Sequence, residues 1–163
     1  MIRAAILTLS DRGSEGLRED ESGKLIAQLL GRIEADVSHA EILPDDGPLI
    51  VSALRKLADS GTIDLIVTTG GTGVSPRDVT PEATREVIDR ELPGMAEAMR
   101  AESMKQTPHA MLSRAVAGVR GRTLIINLPG SPRAVRENLS VVLPALTHAI
   151  RKIQGDKADC GSK

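Results

Sequence analysis

Apolar residues recur with two different periods along this chain, and the periods alternate. Residues 2–9 (Ile-Arg-Ala-Ala-Ile-Leu-Thr-Leu) form a nearly continuous apolar run, as expected of a strand covered on both faces. A polar stretch over 10–22, with Gly13 and Gly16, reads as a long mobile loop. Leu25, Ile26, Leu29, Leu30 and Ile33 then fall on one face of a helix. Residues 37–43 alternate as a second strand and end at Pro44-Asp45-Asp46-Gly47. Pro48 suits the first turn of the following helix, whose apolar stripe is Ile50, Ala53, Leu54 and Leu57 and which Gly61 closes.

Residues 64–69 form a third strand running directly into Gly70-Gly71-Thr72-Gly73. Thr80-Pro81-Glu82 reads as a helix start, with a capping hydroxyl, a first-turn proline and an acid at the positive end. A helix is expected over 94–104, a strand over 123–128, and a helix from about 132 that Pro144 breaks in two. Strand and helix alternate without repeat or linker. That predicts one α/β domain over 1–155, three-layer α/β/α with a mostly parallel sheet, followed by a polar tail over 156–163.

Composition narrows the function. With 21 basic against 22 acidic residues, no extended basic surface for nucleic acid is available. The chain has no Phe, Tyr or Trp, so no ring can stack on a base or pterin, and a flat ligand must rest on aliphatic walls, backbone groups and Arg planes. The single cysteine, Cys160, permits no intramolecular disulfide and reads as an exposed tail thiol. No membrane span or leader pattern is visible, and a cytoplasmic location is expected.

In open α/β sheets ligands gather at the carboxyl ends of the strands. Four segments fall there: Ser10-Asp11-Arg12, Pro44-Asp45-Asp46, residues 70–80, and Asn127-Leu128-Pro129-Gly130-Ser131-Pro132. Gly70, Gly71, Thr72, Gly73 and Ser75 offer backbone amides and hydroxyls for an anion, and Gly130-Ser131-Pro132 opens a helix in the same way, with Arg133 and Arg136 as nearby charge. Asp11, Asp45 and Asp78 could share a hydrated Mg²⁺ or accept from a pterin or purine, while Asp46 reads as a backbone-binding turn residue. His39, His109 and His148 show no metal-ligand spacing, Met95 and Met99 read as core or subunit interface, and residues 18–21 read as a solvated loop.

Residues 65–73 followed by Asp78 resemble the signature of the molybdenum cofactor biosynthesis superfamily. Residues 76–84, 92–94, 113–121 and 127–132 resemble its molybdopterin adenylyltransferase branch, which includes the MogA-like proteins and the matching domain of gephyrin. The resemblance runs from Ile2 to about Lys157. It implies Mg²⁺-dependent adenylylation of molybdopterin by ATP, releasing pyrophosphate, in a homotrimer that hands its product to a molybdate-inserting protein. It implies Asp45 and Asp78 as the catalytic pair, with either able to contact Mg²⁺. Ser10, Asp11, Gly70, Gly71, Thr72, Gly73, Ser75, Asn127, Pro129, Gly130 and Ser131 would then bind molybdopterin and nucleotide phosphate. A non-catalytic pterin- or nucleotide-binding paralogue is the alternative.

Overall fold

The computed structural model describes residues 1–157. Six strands, β1 (Ile2–Leu9), β2 (Ala35–Leu43), β3 (Leu65–Thr69), β4 (Arg90–Glu91), β5 (Ala117–Arg120) and β6 (Thr123–Leu128), form one sheet in the order β2-β1-β3-β6-β5-β4. The first four positions are parallel, while β5 and β4 join antiparallel at one edge. Six helices surround it: α1 (Asp11–Ser14), α2 (Glu21–Leu30), α3 (Gly47–Asp59), α4 (Thr80–Val87), α5 (Pro93–Met104) and α6 (Pro132–Ile153).

Strand alternation divides the apolar side chains between two cores. Ala4, Ile6, Leu65, Val67, Leu124 and Ile126 meet α2, α5 and α6, while Ala5, Leu7, Leu9, Ile66 and Ile125 meet α3 and α4. This is the expected three-layer arrangement. Met99 is buried in the first core and Met95 packs against it. From β1 the chain passes outward to β2 and then back across to β3, so strand order reverses at the β1/β3 crevice. An open sheet leaves room for a ligand above such a reversal.

Three expectations need correcting. Pro144 does not break the last helix, because Ser140, whose carbonyl loses its helical N–H donor at the proline, is exposed to solvent. The buried stripe of Leu139, Val142, Leu143, Leu146 and Ile150 meanwhile runs past the proline and holds both halves in line. The segment 10–22 is not one loop, since Ser10 accepts from the Gly13 N–H at 3.0 Å and caps the one-turn α1. Nor is 18–21 merely solvated. Asp20 caps α2 by accepting from the Gly23 N–H at 2.8 Å, and it also accepts from the Thr8 hydroxyl at 2.8 Å. Asp46 does bind backbone, capping α3 through the Leu49 N–H at 3.0 Å. Cys160 and the tail beyond residue 157 lie outside the described residues.

Candidate functional site

The turn after β3 is shaped by two glycines. Gly70 and Gly71 have φ of 98° and 65°, which L side chains rarely adopt. A Cβ on Gly70 would lie 2.3 Å from the Leu9 carbonyl oxygen, and one on Gly71 would lie 2.4 Å from Thr80 Oγ1. The Thr80 hydroxyl donates to the Gly70 carbonyl at 2.9 Å, so it secures this turn and does not cap α4, correcting the expected cap. Thr69 Oγ1 donates to the Pro129 carbonyl at 2.7 Å, and the Gly70 N–H donates to the Leu128 carbonyl at 3.1 Å. Ser22 Oγ, at the start of α2, donates to the Gly130 carbonyl at 2.7 Å. Three segments far apart in sequence are thereby drawn together at the strand ends.

Two cavities open there, of about 450 and about 410 Å³, and they share Gly71, Gly130 and Ser131. The first is walled by Ser10, Asp20, Asp45, Thr69 and Gly70. The second is walled by Thr72, Gly73, Asp78, Arg100, His109, Leu112 and Pro129. The two expected catalytic carboxylates therefore face different compartments on either side of one backbone ridge.

Asp45 and Asp11 exchange backbone hydrogen bonds. The Asp45 N–H donates to Asp11 Oδ1 at 2.9 Å and the Asp11 N–H donates to Asp45 Oδ2 at 3.2 Å. Arg77 grips Asp11 with both Nε (3.0 Å) and Nη2 (2.8 Å) and holds that carboxyl below the usual carboxylate range. Asp45 is different. Its Oδ1 is buried beside Gly71 with no hydrogen-bond partner among the described residues. Burial pushes the Asp45 carboxyl up. The Asp11 N–H opposes that, the charges of Asp11 and Asp78 add to it, and Arg77 opposes it again. An isolated acceptor in a field of like charge is a place where a cation or a donor group would be favoured.

Asp78 accepts from the Ser75 N–H at 2.9 Å, which folds residues 75–78 back on themselves. Ser131 Oγ accepts from the Ala134 N–H at 3.2 Å and caps α6, leaving its rim position by the ridge. Asn127 does not reach either cavity. It is 0% exposed, its amide donates to the Thr68 and Thr84 hydroxyls at 3.0 and 2.9 Å, and its oxygen accepts from the Val116 N–H at 3.1 Å. With those bonds made internally, Asn127 ties β6 to β3, to α4 and to the residue that precedes β5. Thr72 and Thr69 are also buried, lending backbone to the walls.

The structure adds residues that the sequence reading did not single out as a site: Thr8, Asp20, Ser22, Arg77, Thr80 and Arg114. Arg77 and Thr80 lie within the 76–84 motif and Arg114 within 113–121, but these contacts, like those of Thr8, Asp20 and Ser22, join residues between 10 and 108 positions apart, and local pattern carries no trace of such pairing. Among the described residues no three His, Cys, Asp or Glu side chains stand close enough to cage a metal ion. Among them also, no helix is long and apolar enough to cross a membrane.

Comparison with known proteins places this geometry. The profile of the family described as "Probable molybdopterin binding domain" matches residues 5–148. The molybdopterin adenylyltransferase of Helicobacter pylori strain J99 is 44% identical, over 99% of this chain and 93% of that protein. The molybdopterin adenylyltransferase of Escherichia coli K12 is 39% identical, over 88% of this chain and 75% of its own length. The crystal structure of the molybdopterin biosynthesis enzyme MoaB from Thermus thermophilus superposes with a TM-score of 0.90 at 52% identity, covering 96% of this chain and 98% of that one.

Proposed function

Because the chain belongs to the molybdopterin-binding family of molybdenum cofactor biosynthesis proteins, we propose that its paired cavities join molybdopterin to a nucleotide. It is a molybdenum cofactor biosynthetic enzyme, and its reaction is that of a molybdopterin adenylyltransferase. The observation that carries the site-level reading is the ridge of Gly71, Gly130 and Ser131 between two cavities, with Asp45 on one side and Asp78 on the other. A transferase for two small substrates needs two adjoining compartments and a junction where the reacting atoms meet.

In this reading a terminal phosphate oxygen of molybdopterin attacks the α-phosphorus of ATP. The bond from that phosphorus to the bridging oxygen of the β-phosphate breaks, and pyrophosphate leaves with the electron pair. Such chemistry depends on alignment and charge neutralisation more than on a protein nucleophile. The amides around Gly71, Gly73 and Gly130 and the Ser10 and Ser131 positions bind phosphate oxygens at the junction, Ser75 lies on the exposed loop outside both cavities with its N–H on Asp78, and Asp11 holds Asp45 in place through their exchanged backbone bonds. Asn127 acts behind the site by fixing β6, and the phosphate-binding role drawn from resemblance is not carried forward for it.

The residues present suit Mg²⁺, which favours one or two carboxylates with the remaining positions filled by substrate phosphate and water. Asp45, with its unpartnered Oδ1, or Asp78 across the ridge would hold it. When bound it would offset triphosphate charge. Homotrimer formation, a cytoplasmic location and transfer of product to a molybdate-inserting protein belong to the same proposal. The exposed Met104, Met111 and Leu112 offer apolar surface for contact between copies.

Purified protein incubated with molybdopterin, ATP and Mg²⁺ tests the reading. Adenylyl-molybdopterin and pyrophosphate are expected only when all three are present. Tight pterin binding without product would favour the non-catalytic paralogue, and no pterin binding would overturn the assignment.

A further inference from the structure

Arg114 lies between the 3₁₀ turn Pro108–Leu112 and β5, outside the strand-end segments that form the junction. Its backbone N–H donates to the Thr72 carbonyl at 2.8 Å. Its side chain donates from Nε to the Gly73 carbonyl at 2.7 Å and from Nη2 to the Asp78 carbonyl at 2.8 Å, while Nη1 pairs with Glu82 in the first turn of α4. One guanidinium thus ties both ends of the 73–78 excursion to each other and to the helix that follows.

Among the described residues little else steadies this excursion. Ser75 and Asp78 bond each other, and Arg77 reaches Asp11 through side chains 64% and 37% exposed, a pair that solvent screens. Carbonyl orientation controls what the backbone does next. The peptide unit is planar and trans, so holding the Asp78 carbonyl toward Arg114 fixes the plane adjoining the Asp78 Cα. With the Asp78 N–H also held on the Ser75 carbonyl at 2.9 Å, the two adjoining planes together set the direction in which the Asp78 side chain leaves the chain.

Resting on the transferase reading above, we infer that Arg114 is a positioning residue for the reaction. It clasps the Gly73 and Asp78 carbonyls so that the Asp78 carboxylate is held at the second cavity before substrate arrives. The residue type matters. A planar fork offers several donors in fixed directions and can satisfy three acceptors at once, whereas a lysine ammonium is a single point of charge on a flexible stem. The Glu82 corner of the clasp is the dispensable part, because that ion pair is partly exposed.

The test compares wild type, Arg114→Lys and Glu82→Gln in steady-state adenylylation and in amide hydrogen exchange. For Arg114→Lys, kcat is expected to fall on the order of ten- to a hundred-fold, as sub-ångström misplacement of a reacting group does. KM for ATP should stay within about threefold, because the phosphate-binding amides of Gly71 and Gly130 remain. Exchange at residues 74, 75 and 77–79 should quicken about tenfold or more, while β1, β3 and β6 keep wild-type protection. Glu82→Gln should keep kcat within about threefold of wild type. Unchanged kcat in Arg114→Lys, an equal loss in Glu82→Gln, or faster exchange in every strand overturns the inference. If Arg114→Lys and Arg114→Gln both fail to fold, Arg114 belongs to the fold itself and the inference is again overturned. A wild-type chain that makes no product removes the transferase reading and the kinetic claim with it, and exchange at 74–79 then decides the clasp alone.

Discussion

Replacing Asp45 by asparagine should stabilise this protein at neutral pH while removing its activity. The wild-type carboxylate keeps Oδ1 buried without a partner and faces the charges of Asp11 and Asp78, so its ionised form is disfavoured in the fold. Leaving a buried acceptor unsatisfied costs about 1–3 kcal/mol, more when it is charged. The neutral amide keeps the shape: its oxygen still accepts from the Asp11 N–H, though that bond loses its charge assistance, worth about 1 kcal/mol, and its NH2 takes the place of Oδ1, a donor facing the charges of Asp11 and Asp78. The net gain at pH 7 is then about 1 kcal/mol, or a rise in Tm of about 2–4 °C for a chain of this size. The sign with pH follows from linkage. A carboxyl whose pKa is raised by folding contributes stability below its unfolded value and loses it as pH climbs through the folded value. Wild type and variant should therefore melt together below about pH 3.9, the unfolded carboxyl value, and separate as pH rises above it, the variant being the more stable. Calorimetric scans across that range provide the check, since the other carboxylates titrate in both chains and largely cancel in the difference. A variant that melts below wild type at pH 7, or a difference that ignores pH, refutes the account of Asp45 as a half-buried carboxylate with one unpartnered oxygen. Adenylylation should be lost in the same variant, and undiminished product formation would remove Asp45 from the proposed site.

Asp78→Ala should leave the fold intact, because the carboxylate accepts one loop N–H and touches no core, and should cut product formation on the order of a hundred- to a thousand-fold, read by pyrophosphate release. Gly70→Ala places a Cβ 2.3 Å from the Leu9 carbonyl oxygen at a φ of 98°, and the strain and displacement together should cost about 3 kcal/mol in a urea titration. Asn127→Ala removes three internal hydrogen bonds and strands the buried Val116 N–H, at a cost of about 3 kcal/mol, yet KM for ATP should hardly change in the folded fraction. An Asn127 variant of normal stability with weakened ATP binding would restore the phosphate-binding role withdrawn above.

What the sequence determined by itself was local. The apolar runs over 2–9 and 123–128 became strands with those same limits, because a strand buried on both faces has few other places to go. The glycines after β3 marked a turn that only residues without a Cβ can make, and four strand-end segments were legible as one edge of the sheet. The antiparallel pair was not legible. β4 has two residues and β5 four with a glycine among them, so both exist because β6 and its neighbours offer partners. Pro144 read as a break from its chemistry alone, and only the position of Ser140 on the exposed face, with apolar contacts continuing beyond, decided otherwise. Asn127 and Arg114 show the same division from two sides. The asparagine sat in a strand-end motif but turned inward to Thr68 and Thr84, while the arginine crosses 41 positions to reach Gly73. Periodicity reports which face a residue takes, since that depends on its own neighbours in the chain. Which polar atoms finally meet depends on how separate elements pack, and tertiary structure alone decides that.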